Sequence, residues 1–447
     1  MMKIRIMKKF YLALLFLGIF VGFLSSCSDD DECTPLPAPP IINITSGNLS
    51  MHIGDSIILK ASVASPTETT FSWILDTTEV STDSIYVFKS EYSGLFDVKL
   101  TATNSDGTVA TTTSITVQPG EYKNGTFVLS ENNSLLTFIS PEGKVTTDAY
   151  TDENGTKLGS VNQDIFIKNH KMYIVSQNGG GDGFLVIANA ETLKKIKGFQ
   201  TELNGKVNWP THVAVLGDDD IYLRDNNGVK RFQPSTGTVT LIEGTSGARK
   251  NTMAVADGKV FASVKNTVVV IEAGKDIISS TINFDGEVSG VIKASDGNLW
   301  VSDRSGKITK VDAKTYQKIG MNDIPTEVAS VWNTTYAAAP GITAKGDTLY
   351  ISGLTSKIYR HIFSTKETKL MVDAKTMVDN VGIVYNTCAV HPLTGEVYLN
   401  SIKGYGQNYK INNISVFNFS GDEPELSANY ENYTAFPAGT FFTYNFE

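Results

Sequence analysis

Cysteine is nearly absent from this chain: there are three in 447 residues, Cys27, Cys33 and Cys388. Their spacing fits neither a disulfide framework nor a cysteine-based metal site. Histidine is almost as scarce, with five residues and no i,i+4 or His-x-His pair. No metal site is therefore expected. Long basic runs are missing too. The 38 basic groups stand against 47 acidic ones, a formal net charge of −9, which disfavours a nucleic-acid partner. After the first two dozen residues no apolar run is long enough to span a bilayer. A Gly-x-Ser-x-Gly elbow, a phosphate loop and a Cys/His pairing are all lacking. Catalytic residues and a resident cofactor are accordingly not expected, and the chain reads as a binding protein rather than an enzyme.

Residues 1–26 carry Lys3, Arg5, Lys8 and Lys9 ahead of an apolar run, the pattern of an export signal. Removing them leaves 34 basic against 47 acidic groups, or −13. The run ends in Leu24-Ser25-Ser26-Cys27, which resembles a bacterial lipobox, with Cys27 as the lipid anchor. The alternative is an ordinary secretory signal with a chance cysteine. Ser28-Asp29-Asp30-Asp31-Glu32 follows and resembles the acidic surface-export signal of Bacteroidota lipoproteins, so the expected location is the outer face of the outer membrane. With a lipid anchor, no later transmembrane helix is required. Residues 27–40, acidic then proline-rich, read as an extended tether.

Residues 41–118 alternate in the manner of half-buried strands. Phe96, Val98, Leu100 and Ala102 fall on one face and Asp97, Lys99, Thr101 and Thr103 on the other; Asp106-Gly107 then supplies a turn. Trp73 is placed like the core tryptophan of an immunoglobulin-type sandwich. The segment VKLTATNSDG resembles modules of the polycystic-kidney-disease (PKD) type, so an Ig/PKD-like β-sandwich is expected here, acting as a spacer.

The rest of the chain repeats. Seven strand-like segments each carry one aromatic: Phe127, Tyr173, Tyr222, Phe261, Trp300, Tyr350 and Tyr398, at intervals of 39 to 50 residues. A polar turn and a further strand follow most of them, and a short strand precedes each from the second onward. Four short strands in a unit of this length is the pattern of a propeller blade. The first unit lacks its leading strand, and residues 437–447, PAGTFFTYNFE, have the character to supply it. The fold class expected is all-β: a seven-bladed β-propeller over 122–447, closed by pairing of its two ends, preceded by the small sandwich.

Glu153–Asn178, with VIANAETLKKI after it, is similar to the YVTN/YncE-like seven-bladed propellers of Bacteroidota surface lipoproteins. Some proteins of that layout capture corrinoids (vitamin B12) as a lid on a TonB-dependent outer-membrane transporter. The resemblance thus implies a surface lipoprotein that binds a scarce nutrient, a corrinoid first, and delivers it to such a transporter. A glycan-binding or glycan-degrading propeller, or an adhesion protein without a small ligand, is the alternative.

A propeller gathers the loops entering its inner strands, and those joining its second and third strands, at one end of the channel. Here these loops hold Asn162, Gln163, Trp209, His212, Asp225, Arg304, Trp332, Tyr336, Asn386, Tyr405 and Tyr409. Aromatic faces beside amides suit a planar, amide-fringed ligand such as a corrin, and suit a sugar ring equally well. Loop 400–413 is the best single contact candidate. His212 is read as an axial cobalt ligand or as a hydrogen-bonding residue. Asp164, Asp225 and Asp303 recur at strand ends, where a glycosidase-type carboxylate pair and simple turn chemistry are both open readings.

Overall fold

The computed structural model describes residues 37–251, 253–333, 341–353, 355–386 and 388–444. Cys27, the acidic stretch 28–32, Tyr336 and the last three residues lie outside them.

Residues 41–118 form two sheets. One has three strands, Ile41–Thr45, Ser56–Ala64 and Ile85–Lys89; the other has five, with Gly107–Gln118 between Ser50–His52 and Gly94–Asn104. The alternation appears as expected: Phe96, Val98, Leu100 and Ala102 are buried. Asn104 Oδ1 takes the amides of Asp106 and Gly107 at 2.9 and 3.0 Å, fixing the turn. Trp73 is fully buried and its Nε1–H donates to the Asp83 carbonyl at 2.8 Å.

Two compact units result, and their boundary does not follow the one drawn at residue 118. One holds the described residues to Thr45, with Lys60–Tyr86 and Val98–Thr113; the other holds Ser46–Leu59, Val87–Asp97 and everything from Ser114. Within the second unit, Asn189 Nδ2 donates to Glu91 O at 2.6 Å and the Ser93 amide to Glu191 Oε1 at 3.2 Å. Those bonds bind 87–97 into that unit.

The described residues of 126–442 build seven further sheets, each antiparallel and of four strands, except that the seventh adds a short fifth. The seven aromatic segments form the second strand of each sheet, and all seven aromatics are buried. These strands are buried on both faces, so nearly every residue is apolar or bonded; Thr126–Ser130 and Leu299–Asp303 are buried throughout. One helix was not expected from the strand pattern. Ala149–Asn154 starts at Asp148, whose side chain accepts the Thr151 amide, and stops at Gly155 with φ +65°.

The first sheet takes its leading strand from the end of the chain. Pro437–Phe442 pairs antiparallel with Thr126–Ser130, as the sequence predicts. Thr443, fully buried, acts as a clasp: its amide and hydroxyl donate to Gly125 O and Tyr122 O at 3.0 and 2.6 Å, and its hydroxyl accepts the Gly125 amide at 3.0 Å. Gly125 is required there, since a Cβ would lie 1.8 Å from the Phe138 ring.

The seventh sheet departs from expectation. Its leading strand is broken into Ile383–Val384 and Ala389–Val390, both paired to Val397–Ile402. Between them Asn386 sits at φ +65°, which interrupts the ladder.

A chain ending at Phe436 keeps six sheets but leaves Thr126–Ser130 without its leading partner. Calorimetry on that truncation is expected to show the cooperative transition lost or the midpoint lowered by more than about 10 °C; an unchanged midpoint would show that closure is dispensable.

Candidate functional site

The leading strands of the seven sheets surround one cavity of about 700 Å³. Their beginnings contribute Gln163, Asp164, His212 and Met253; their ends contribute Lys168, Leu216, Lys293 and Phe441. Asn386 and Cys388 line it from the break in the seventh sheet. Cys388 is buried, and burial pushes its thiol up to about 12, so it stays protonated and inert at neutral pH.

The strand Ser160–Lys168 enters the cavity irregularly. Asn162 pairs with Ser176 and Asp164 with Val175, leaving Gln163 as an extra residue in a β-bulge. Val161 just before it lies at φ +61°, a costly conformation for a β-branched residue. Gln163 and Asp164 both line the cavity at the bulge, and Phe166, Ile167 and Lys168 line it further along the strand.

Asp164 is 5% exposed and accepts the Val213 amide at 3.0 Å. Burial raises its carboxyl to about 7, against the opposing pull of the Val213 and Ile165 amides. His212 is buried beside it in sequence to Val213, with Nδ1 3.0 Å from Thr211 Oγ1. That hydroxyl also accepts from Arg224 Nη1 at 3.2 Å, so a hydrogen-bonded histidine is what the structure supplies. Among the described residues no three His, Cys, Asp or Glu side chains are placed to hold a metal ion.

Several residues expected at the site serve the framework instead. Asn162 is fully buried, accepting from Ser176 Oγ at 2.6 Å and donating to Ser130 O at 3.3 Å. Asp225, also fully buried, takes the amides of Asn208 and Asn227, both at 2.8 Å, and pairs with Lys230 at 2.9 Å. Asp303 accepts the Ser305 amide at 2.8 Å. Turn chemistry accounts for both carboxylates. Trp332 belongs to an apolar core and donates to Gly341 O at 3.3 Å. Arg304 pairs with Glu287 at 2.6 Å and donates to Trp332 O at 3.2 Å. None of these five lines the cavity.

Gln163 and Asn386 do line it, and near Gln163 an aromatic group forms that sequence reasoning only half identified. Gln163 Nε2 donates to Glu131 Oε1 at 2.9 Å, and Tyr385 Oη donates to Glu131 Oε2 at 2.7 Å. Phe436 packs on Tyr385 at 5.6 Å, Tyr409 at 4.6 Å and Tyr405 at 6.3 Å, the last two stacked. Phe436 is itself at φ +59°. Tyr405 is 64% exposed and Trp209 58% exposed. Glu131, Tyr385 and Phe436 were missed; only the tyrosine-rich loop that meets them was visible in sequence.

Residues 124–443 match the family described as a domain of unknown function, DUF5074. The chain belongs to this family. No curated protein matches the sequence. Among solved structures, a quinoprotein alcohol dehydrogenase-like protein from Bacteroides thetaiotaomicron is similar, at 16% identity and a TM-score of 0.52, over 88% of this chain and 96% of that one. BamB from Moraxella catarrhalis is similar at 11% identity and a TM-score of 0.42, over 71% and 86% of the two chains. At such identities the first likeness shows fold alone: this DUF5074 chain is nearly all-β and propeller-like.

The titration of Asp164 has a measurable consequence. Its folded-state pKa lies above the ordinary 3.8, so between those values the folded protein binds one proton more than the unfolded chain. Stability therefore falls as pH rises through that window, by at most about 1.4 kcal/mol per pH unit. Urea unfolding at about pH 5 and about pH 8 should show a steeper loss in the wild type than in Asp164→Asn. Equal losses would mean that Asp164 is ionised throughout.

Proposed function

We propose that the seven sheets are the blades of one closed seven-bladed β-propeller, that residues 41–118 are an Ig/PKD-like spacer, and that Cys27 anchors the protein by lipid at the cell surface. On this reading the protein captures a small nutrient and hands it to a TonB-dependent transporter, with a corrinoid as the first candidate. One observation carries the binding reading: a cavity of about 700 Å³ whose lining mixes apolar side chains such as Phe166, Met253 and Val291 with polar ones at both ends of the strands. That volume lies inside the range of roughly 300–1,000 Å³ common to small-molecule sites.

A whole corrinoid is larger than this space. The macrocycle would lie across Tyr405, Tyr409 and Phe436, with a peripheral amide reaching toward Gln163 and the cavity. Flat aromatic faces supply contact area at little entropic cost, and the acidic balance of the chain is compatible with a neutral, amide-bearing ligand.

Calorimetric titration of the detergent-solubilised full chain with cyanocobalamin is the test. Saturable heat is expected, and Tyr405→Ala or Tyr409→Ala should each weaken binding about tenfold. No heat and no fluorescence quenching at micromolar ligand removes the corrinoid from the proposal.

A further inference from the structure

We infer that the bulged pair Gln163–Asp164 receives an N–H donor head group, an ammonium or a primary amide, from a small ligand entering the central cavity. The inference rests on the cavity being a ligand site, and not on the ligand being a corrinoid.

The bulge is the first ground. It sets two consecutive polar residues in the cavity lining, beside Phe166, Met253 and Val291 and with His212, Thr343 and Asn386 also lining it. The second is the orientation of the Gln163 amide. Nε2 faces Glu131 Oε1 at 2.9 Å and Asn162 O at 3.3 Å; the flipped amide would set oxygen against carboxylate. The remaining atom is therefore the acceptor Oε1, and it is buried with no hydrogen-bond partner among the described residues. A buried acceptor in that state costs stability until a donor reaches it.

The third ground is Asp164. Its neighbour Asp225 shows how this fold treats a buried carboxylate, with a lysine at 2.9 Å. Among the described residues, the groups that hydrogen-bond the Asp164 carboxyl are the Val213 and Ile165 amides. Lys168 lines the same cavity but stands four residues along the strand, about 13 Å away at ~3.3 Å per residue. With Asp164 ionised, two adjacent acceptors favour a donor over an anion. Phe166, Met253 and Val291 give the ring of a ligand an apolar surface to pack on.

Benzylamine (as the ammonium), benzamide and benzoate share one ring and differ in the head group. Titrated separately at about pH 8, where Asp164 is ionised, into the detergent-solubilised full chain and followed by saturation-transfer NMR, the two donors should bind at least about tenfold more tightly than benzoate. Asp164→Asn keeps an oxygen for the Val213 amide, and its melting curve reports whether it folds. It should weaken benzylamine about tenfold while changing benzamide less than about threefold. Benzoate binding as tightly as benzylamine, neither donor binding at millimolar concentration, or a folded Asp164→Asn with unchanged benzylamine affinity each overturns the inference. The wild-type comparison decides without any variant, and cyanocobalamin binding passes or fails independently of it.

Discussion

The first of the seven sheets is completed by one antiparallel pairing, that of Pro437–Phe442 with Thr126–Ser130. The six sheets that follow the first each have a leading strand that precedes the aromatic strand in sequence. The first does not, and only the end of the chain completes it. Phe127 and Phe441 then join the same apolar cluster as Leu129, Tyr150 and Ile174, so the seam is packed as well as hydrogen-bonded. Burial of such aromatic and aliphatic groups is the main favourable term available to a chain in which the described cysteine is unpaired.

The leading strands pose a second problem. Each is the edge of its sheet, and an edge exposes unpaired backbone groups. Polar side chains from neighbouring sheets answer it. Asp164 accepts the Val213 amide, and Asn251 Nδ2 donates to Ser289 O. Ser352 Oγ accepts the Cys388 amide, and Asn386 Nδ2 donates to Pro437 O. Sheet-to-sheet bonding is thus done by the same asparagines and aspartates that would attract attention as ligand contacts. Gln163 differs because its carbonyl oxygen is left over.

That overlap explains what was legible in the sequence. The architecture was, because a strand covered on both faces must be apolar along its length, and the recurring aromatic at one position marks it. The closing strand was legible from its strand-like character and from the gap it fills. The sites were read less well. Asn162, Asp225 and Trp332 sit in the loops predicted to meet a ligand, yet each is buried in framework bonds, since turn closure and ligand binding draw on the same residue types. The bulge at Gln163, the break around Asn386 and the positive φ of Val161 and Phe436 arise from long-range packing, which no local pattern encodes. Asp164 was noticed only as one carboxylate among three; burial, not spacing, sets it apart.

The clasp at Thr443 joins residues 318 apart in the chain. During synthesis the opening sheet must wait, one strand short, while all the others are made. The first sheet is completed only once residues 437–443 have been made, so its closure is among the last pairings available to the growing chain.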